Sequence, residues 1–324
     1  MPDVLDVSVV IPTRSRWRLL SRAALPAALG QLDVEHEVIV VDDGSEDETP
    51  DRLAELAESR LRIIRNSTAR GVASARNAGI YAARGRWVSF LDDDDLWSPH
   101  KLRGQLDAAE AADAVFAYSA GAGLDAEHTF LFAVAQPDPA EITQALLRWN
   151  VIWCGCSNVI ARADLVRELA GFDERLYQLA DWDLWIRLAL AGPAAAASEI
   201  AVGYVMHEES MLLTDRRDVF PEMDYLTDKH RASSDEYGVE FDRALFARWV
   251  ARGHRLAGRR RLAALTYLRS AARNGDLGAL PRAAGSLAPE RLSELSKRLA
   301  RSEQRSALRK LAGPEPPWIA GFRT

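Results

Sequence analysis

Four consecutive aspartates, Asp92 to Asp95, follow a short apolar run and are the strongest chemical signal in the sequence. Adjacent carboxylates repel one another, so we expect them at the end of a strand, where a divalent cation can neutralise them. Hard cations such as Mg2+ and Mn2+ prefer carboxylate oxygens and often share them with substrate phosphates. The run therefore predicts metal–phosphate chemistry. The structural alternative is an acidic loop, or a helix N-cap supplied by Asp95.

Two further polar clusters follow apolar strands of the same kind. Residues 7–11 and 37–41 are continuous apolar runs, and they end in Pro12-Thr13 and Asp42-Asp43. Helical segments, such as the one expected over residues 16–29 that Pro26 is expected to kink or shorten, alternate with these strands. This order is typical of a parallel sheet with helices on both faces, which binds ligands beyond the carboxyl ends of its strands. We therefore expect the three polar clusters to meet on one rim.

The chain of 324 residues, 48% hydrophobic and 27% charged, is long enough for one large domain and an appendage. We predict a domain over residues 1–240, with halves at 1–112 and 113–240, followed by a helical C-terminal region at 241–324. Within this region helices are expected over residues 245–253, 254–274 and 289–311, and the Pro-rich end from residue 313 is expected to be extended. No apolar run approaches the ~20 residues of a membrane span, and no signal peptide opens the sequence, so a cytoplasmic protein is expected. Cys154 and Cys156 lack partners at metal-ligand spacing and are interpreted as structural thiols.

Charge is divided unevenly along the chain. Residues 243–310 contain 17 Lys and Arg against 4 Asp and Glu, whereas residues 1–242 contain 23 against 42. The basic segment leaves three interpretations open: docking on the acidic body, self-association as a homodimer, or peripheral association with the anionic inner face of a membrane. Nucleic acid is not expected as a partner, because no recognition motif accompanies the charge.

Several motifs, in a fixed order from Val7 to about Met211, resemble the family 2 glycosyltransferases of the GT-A fold. They are Val-Ser-Val-Val-Ile-Pro-Thr, Val-Ile-Val-Val-Asp-Asp-Gly-Ser, Gly-Val-Ala-Ser-Ala-Arg-Asn-Ala-Gly, Phe-Leu-Asp-Asp-Asp-Asp-Leu-Trp-Ser-Pro, Gly-Phe-Asp-Glu-Arg-Leu and Asp-Trp-Asp-Leu-Trp-Ile-Arg. The resemblance implies an α/β, Rossmann-like and mostly parallel sheet with a helical appendage. It also implies transfer of a sugar, with inversion, from a nucleotide diphosphate donor to an acceptor hydroxyl.

The resemblance assigns roles to individual residues. Asp94, with Asp92 and His207, would hold Mn2+ or Mg2+, and Asp181 would be the catalytic base. A UDP-sugar is the donor suggested first, and the acceptor would be a carbohydrate, lipid-linked or other hydroxyl. Ala180 precedes the base where the family often has Glu, which leaves acceptor binding or tuning of the base open. The implied donor contacts are Pro12, Thr13, Arg14, Asp42, Asp43, Arg76, Asn77, Asp92 and Asp93.

Chemistry independent of the resemblance supports the metal and the base. A diphosphate facing four carboxylates would be repelled without a cation, and an acceptor hydroxyl is a poor nucleophile until a base takes its proton. Asp181 opens a helix, however, and could be only its cap, while Asp183 and Arg187 have the spacing of a helix salt bridge, which we favour. A group of tryptophans could stack on sugar or belong to the core: Trp149, Trp153, Trp182 and Trp185.

Other functions remain as alternatives. A sugar-nucleotide pyrophosphorylase would need a glycine-rich, lysine-bearing loop after the first strand, and Pro12-Thr-Arg-Ser-Arg16 is not one. A phosphatase of the Asp-x-Asp type would carry its aspartates on the first strand, whereas here they follow the fourth. A catalytically silent binding module with the same fold is the third alternative, supported only by Ala180.

Overall fold

The computed structural model describes residues 5–207, 217–287, 310–311 and 314–323. Its strands are β1 (Val7–Thr13), β2 (His36–Asp42), β3 (Leu61–Arg65), β4 (Trp87–Phe90), β5 (Leu96–Trp97), β6 (Phe116–Leu124), β7 (Phe130–Val134), β8 (Ile160–Arg162), β9 (Ala194–Val205) and β10 (Lys310–Leu311). They form one ten-stranded sheet in the order β10-β7-β6-β8-β4-β1-β2-β3, with β9 beside β6 and β5 beside β9.

Helices pack on this sheet and continue beyond it. They are α1 (Trp17–Arg22), α2 (Ala24–Leu29), α3 (Thr49–Ala54), α4 (Val72–Ala82), α5 (Lys101–Ala111), α6 (Ile142–Arg148), α7 (Ala163–Glu168), α8 (Ala180–Ala191), α9 (Phe220–Lys229), α10 (Arg231–Tyr237), α11 (Arg243–Leu256), α12 (Arg260–Asn274) and α13 (Ala279–Leu287). Short 3-10 turns lie at Gly155–Asn158 and Pro317–Phe322.

The first half of the sheet is parallel and buried on both faces. β1 pairs in parallel with β2 and β4, and β2 pairs in parallel with β3. Side chains alternate along β1, so that Val9 and Ile11 enter a core with α2 and α5, while Val10 enters a second core with α4 and α8. A Cβ at Gly79 would lie 2.3 Å from Val10, so α4 rests directly on this strand. The α/β fold with helices on both faces is confirmed.

The second half of the sheet is mixed. β8 runs antiparallel to β4, and β6 runs antiparallel to β8 but parallel to β9. The sheet is continuous across residue 112, so strands of both predicted halves share one hydrogen-bonded layer. This layer brings the end of β9, which carries His207, to the rim formed by the parallel strands.

Two helix predictions were wrong in detail. The helix expected over residues 16–29 is broken at Ala23 (φ −119°, ψ −82°) into α1 and α2. The break agrees with the expectation that Pro26 shortens the helix, because a proline clashes with the carbonyl four residues earlier, here that of Arg22, the last residue of α1. Pro26 then lies in the first turn of α2, where its missing N–H removes no helical hydrogen bond. The continuous helix expected over residues 254–274 is also divided, because Gly258 (φ 71°) ends the first helix and α12 starts at Arg260.

The end of the described chain returns to the sheet. The helix predicted for residues 289–311 lies largely outside the described residues, and its last two residues instead form β10, which pairs with β7. Residues 314–323, expected to be extended, contain a 3-10 turn whose buried Ile319 packs with Leu96, Leu124 and Val205. The C-terminal region is therefore not helical throughout. Within the part of the chain that the structure describes, no helix has the length and apolarity needed to cross a bilayer.

Candidate active site

The polar ends of β1, β2 and β4 meet on one rim, as the strand pattern predicts. Thr13 and Asp42 are register partners at the ends of β1 and β2, and the N–H of Asp43 donates to the carbonyl of Thr13 (2.9 Å). The Thr13 hydroxyl donates to Asp93 Oδ2 at 2.7 Å. The first half of the acidic run therefore lies directly beside the first strand end, with Pro12 buried beneath it.

An arginine that was not among the predicted site residues occupies the middle of the acidic run. Arg16 Nη1 lies 2.6 Å from Asp93 Oδ1, and Arg16 Nη2 lies 2.7 Å from Asp94 Oδ2. Arg14, the predicted donor contact, is exposed. Burial raises the pKa of Asp93 to about 7, with the Arg16 charge opposing that rise and the neighbouring carboxylate of Asp94 adding to it. The arginine thus neutralises charge that the protein buries.

Asp94 and His207, both predicted as metal ligands, converge at this point. His207 Nε2 lies 2.9 Å from Asp94 Oδ2. Burial alone would raise the pKa of Asp94, but the hydrogen bond with His207 and the Arg16 charge hold it below its usual value. Among the described residues no set of three or more His, Cys, Asp or Glu side chains is arranged to enclose a metal ion. Asp94 and His207 are thus a converging pair, and their binding of a metal stays a prediction.

Asp95 does not cap the next helix, as the sequence had suggested. A two-residue strand, β5, intervenes before α5, whose N-terminus has no side-chain cap. Asp95 Oδ2 instead accepts the Ser157 hydroxyl (2.5 Å), and Asp95 Oδ1 accepts the N–H of Val205 (3.1 Å). Burial, together with the neighbouring carboxylates Asp94 and Asp92, raises its pKa well above the usual value.

Ser157 links the acidic run to the turn that passes the predicted base. Its hydroxyl also accepts the N–H of Asp92 at 3.1 Å, and its carbonyl accepts the indole N–H of Trp97 at 2.7 Å. The sequence Cys-Gly-Cys-Ser-Asn offered no motif for this role, since its contacts are with residues about 60 positions away. One buried serine therefore holds both ends of the acidic run.

Arg76 interacts with both the acidic run and Asp181. Its Nη2 contacts Asp92 Oδ1 at 2.5 Å, and its charge acts on the carboxyl of Asp181. The guanidinium is buried against the ring of Phe172, 5.4 Å from the centroid, and its Nε has no partner within the described chain. Asp92 is a third exposed and directed toward this arginine, whereas Asp94 is directed toward His207.

Asp181 is the second residue of α8 and is not its cap. The N-cap position belongs to Leu179, and the N–H groups of residues 177–179 donate to Oε2 of Glu222 from α9. Asp181 Oδ1 accepts the N–H of Trp182 at 2.6 Å. A Cβ at Gly155 (φ 48°) would lie 2.9 Å from Asp181 Oδ2, so the turn passes the carboxylate without a side chain.

The environment of Asp181 suits a proton acceptor. Burial raises its pKa to about 6; the Arg76 charge, the Trp182 N–H and a hydrogen bond from Asn150 limit that rise. A carboxyl with a pKa near 6 is ionised at neutral pH, yet it holds a proton more strongly than an ordinary aspartate. Asn150 was not predicted, because its contact depends on the fold of the loop that precedes the 3-10 turn.

Three predicted donor contacts are used by the protein itself. Asp42 Oδ1 accepts the N–H of Ser45. Asp43 accepts the side-chain amide of Asn66 and the N–H groups of Arg70 and Gly71, which fixes the loop leading into α4. Asn77 accepts the N–H of Phe172 and donates to its carbonyl, which ties α4 to the loop before α8. Their contacts with a donor stay predictions.

The tryptophans divide into two groups, and the predicted salt bridge is present. Trp182 and Trp185 are fully buried and belong to the core. Trp149 is partly buried and packs on Trp182, and Trp153 is partly buried between Phe132 and Tyr204. Arg187 Nη2 lies 2.7 Å from buried Asp183, as the helical spacing indicated. Cys154 and Cys156 are free, buried thiols, as expected for structural residues.

The parallel strands and the acidic rim fall within a region that matches a known protein family. A model of glycosyl transferase family 2 matches residues 8–169, half of the chain. The chain belongs to this family. The six motifs that suggested the same family extend beyond the matched range to α8.

Relatives in the family are similar over part of their length. The succinoglycan biosynthesis protein ExoO of Rhizobium meliloti (strain 1021) is 35% identical over 63% of this chain and 61% of its own. The UDP-Glc:alpha-D-GlcNAc-diphosphoundecaprenol beta-1,3-glucosyltransferase WfaP of Escherichia coli is 30% identical over 56% of this chain and 70% of its own. The chain thus spans less than two thirds of the length of ExoO.

Solved structures share the fold at low sequence identity. Staphylococcus aureus TarS 1-349 in complex with UDP-GlcNAc matches with a TM-score of 0.53 and 17% identity, covering 86% of this chain and 90% of that one. The same protein in complex with UDP matches with a TM-score of 0.52. These likenesses support the GT-A-like sheet and say nothing further about this chain's ligands.

Proposed function

We propose that the protein is an inverting glycosyltransferase that moves a sugar from a UDP-sugar to a hydroxyl of a lipid-linked or polysaccharide acceptor. The observation that carries the proposal is that Arg76 is shared by two sites. Its Nη2 contacts Asp92 of the acidic run, and its charge also acts on the buried carboxyl of Asp181, whose pKa burial raises to about 6. A carboxyl that can accept a proton is therefore close to the acidic run that we propose for the diphosphate.

In the proposed reaction Asp181 takes the proton of the acceptor hydroxyl. The acceptor oxygen forms a bond to the anomeric carbon of the sugar while the bond from that carbon to the diphosphate oxygen breaks. The electron pair leaves with the nucleoside diphosphate, and the configuration of the anomeric carbon is inverted. A general base of this kind contributes on the order of 10²–10⁴-fold to the rate.

Asp94 and His207 are the residues that we propose for a divalent cation, Mg2+ or Mn2+. Their side chains converge, with His207 Nε2 2.9 Å from Asp94 Oδ2, and carboxylate oxygen and imidazole nitrogen are both donors that such a cation accepts. When bound, the cation would neutralise the charge that develops on the diphosphate. Asp92 contacts Arg76 instead, so we assign it to this arginine rather than to the metal. Arg16 is the cationic side chain that contacts Asp94 at the proposed cation site.

The donor and acceptor assignments follow the relatives and the strand ends. TarS is described in complex with UDP and with UDP-GlcNAc, and the name of WfaP gives a UDP-glucose donor and a diphosphoundecaprenol acceptor. At the strand ends, Thr13 and Asp93 are joined by a hydrogen bond, and we propose both side chains as contacts of the donor. Partly buried Trp149 and Trp153 are the aromatic side chains that we propose for the acceptor side.

Transfer assays test the proposal directly. The protein is incubated with a panel of nucleotide sugars, with and without Mn2+, and nucleoside diphosphate release is measured with lipid-linked and soluble acceptors. We expect a UDP-sugar to be turned over only in the presence of the cation, and Asp94→Asn to reduce turnover strongly. If no nucleotide sugar binds and Asp94→Asn changes nothing, the protein is a silent module of the family and the proposal fails.

A further inference from the structure

The helices α11 to α13 carry an unusual distribution of apolar side chains. Their shared core is formed mainly by small residues, namely Ala251, Tyr267, Ala279 and Ala283. Their leucines lie outside instead. Six of the fourteen exposed large apolar side chains of the described residues fall within residues 262–287, and together they form what we call the leucine face: Leu262, Leu265, Leu268, Leu277, Leu280 and Leu287.

The leucine face is regular along each helix. Leu262, Leu265 and Leu268 are 43–61% exposed and recur every three residues on α12. Leu280 and Leu287 are 45% and 59% exposed and lie two turns apart on α13, and Leu277 in the loop between the helices is 73% exposed. α12 and α13 pack against each other, so the exposed leucines of both helices belong to one packed helical unit. Six exposed leucines within 26 residues are more than the scattered single leucines of an ordinary surface.

The charge of the same helices indicates what covers this surface. Residues 243–287 contain ten arginines and one carboxylate, Asp276, which is paired with Arg248; Arg243 and Arg269 pair with Asp224 and Asp218 outside this segment. Arg261 and Arg273 are exposed at the two ends of α12. A symmetric dimer through this face would bring two arginine-rich surfaces together. Residues 288–309 add six basic and three acidic side chains, so they supply no complementary charge either. The complementary partner is anionic.

We propose that the leucine face and its arginines dock on an anionic lipid surface. Leucine side chains would enter the boundary between headgroups and acyl chains, and the arginines would contact headgroup phosphates. The docked helices are connected to the active site by three tryptophan rings. The ring centroids of Trp249 in α11 and Trp149 are 6.4 Å apart, and those of Trp149 and Trp182 are 5.6 Å apart. Trp182 is next to Asp181 in the chain. Docking would thus bring the acceptor side to the membrane, a consequence that rests on the proposed function, whereas the docking itself does not.

Vesicle co-sedimentation of the full chain tests the proposal. Vesicles of phosphatidylglycerol with phosphatidylethanolamine are compared with phosphatidylcholine vesicles at low and high salt. We expect binding to the anionic vesicles only and weaker binding at high salt. Leu265→Gln with Leu268→Gln, and separately Arg261→Gln with Arg273→Gln, should each reduce the bound fraction at least tenfold. The matched control is Leu32→Gln with Leu131→Gln, two leucines that are 49% and 48% exposed elsewhere.

Two results would overturn the proposal. One is equal binding by the leucine-face variant, the arginine variant and the control. The other is a dimer that the leucine-face variant converts to monomer, measured by light scattering, without vesicle binding by the parent protein; the face would then be a protein interface. All substituted side chains are exposed, and thermal melting checks that each variant is folded. Transfer to a soluble acceptor reports on the proposed function separately.

Discussion

Arg16 and Asp94 form an ion pair at the position proposed for the cation: Arg16 Nη2 lies 2.7 Å from the same Asp94 oxygen that faces His207. Arg16 is about a quarter exposed, while Asp93 and Asp94 are nearly buried. The guanidinium therefore supplies, in the absence of metal, positive charge that the acidic run needs.

Arg16→Gln should destabilise the metal-free protein by about 2 kcal/mol, because it removes the charge that both Asp93 and Asp94 contact. This is below the ~3–5 kcal/mol of a fully buried pair, since Arg16 is 28% exposed and Thr13 and His207 remain as partners. Mn2+ should then raise the melting temperature more in the variant than in the parent, since the cation would neutralise the same carboxylates. Arg18→Gln is the control, as Arg18 is exposed on the next turn. Equal Mn2+ shifts in all three proteins would show that Arg16 and the metal do not share a site.

Asp181→Asn should abolish transfer, with a loss of about 10²–10⁴-fold, and leave nucleotide binding nearly unchanged. Loss of nucleotide binding as well would indicate a structural role. In the parent protein kcat/KM should rise with pH around the Asp181 pKa of about 6 and level off above it, because only the ionised carboxylate accepts a proton. A profile that falls through this range would contradict the assignment.

The same substitution should stabilise the protein at neutral pH. Burial raises the pKa of Asp181 from 3.8 to about 6 on folding. Folding therefore favours the neutral carboxyl of Asp181. Its ionisation costs the folded protein nothing below about pH 4, where the group is neutral in both states, and lowers the free energy of unfolding as pH rises through about 6. Asn mimics the neutral form, so the variant should gain at most roughly 3 kcal/mol at pH 8 and little at pH 4. Urea unfolding at the two pH values measures the difference.

Gly155→Ala should reduce activity more than it reduces stability. Alanine at φ 48° costs about 1 kcal/mol in backbone strain, and its Cβ would also displace the Asp181 carboxylate, 2.9 Å away. Gly258→Ala carries the same strain at φ 71° but has no neighbour within 4 Å of the added Cβ. The two variants should melt at similar temperatures, and only Gly155→Ala should lose transfer activity. Equal activities would place Asp181 outside the reaction.

Ser157→Ala should cost about 1–3 kcal/mol, because it leaves buried Asp95 Oδ2 without its donor. We also expect the KM for the donor to rise, since Ser157 holds the backbone of Asp92. Ser98→Ala is the matched control: its hydroxyl is buried but has no partner within the described chain, so its removal should be nearly neutral. Similar losses of stability in the two variants would contradict the role given to Ser157.

The sequence was sufficient to predict the rim and insufficient to predict its charge balance. Apolar strands that end in Thr13, Asp42 and Asp92 could be recognised because a parallel sheet brings such ends together. Arg16 could not be distinguished from Arg14, since its partners lie 77 and 78 positions away and depend on where α1 begins. The positions of the breaks at Ala23 and Gly258 could not be predicted from local periodicity, because the helical pattern of apolar residues continues across both.

The return of residues 314–323 to the sheet has a consequence for how the protein is made. Ile319 packs with Leu96 and Val205, which flank the acidic run and precede His207. A ribosome that has completed residues 5–287 has therefore synthesised every group proposed for catalysis, yet not the segment that packs on β5 and β9, the strands of these two residues. That packing forms only after residues 314–323 leave the exit tunnel, so this part of the sheet is completed last during synthesis.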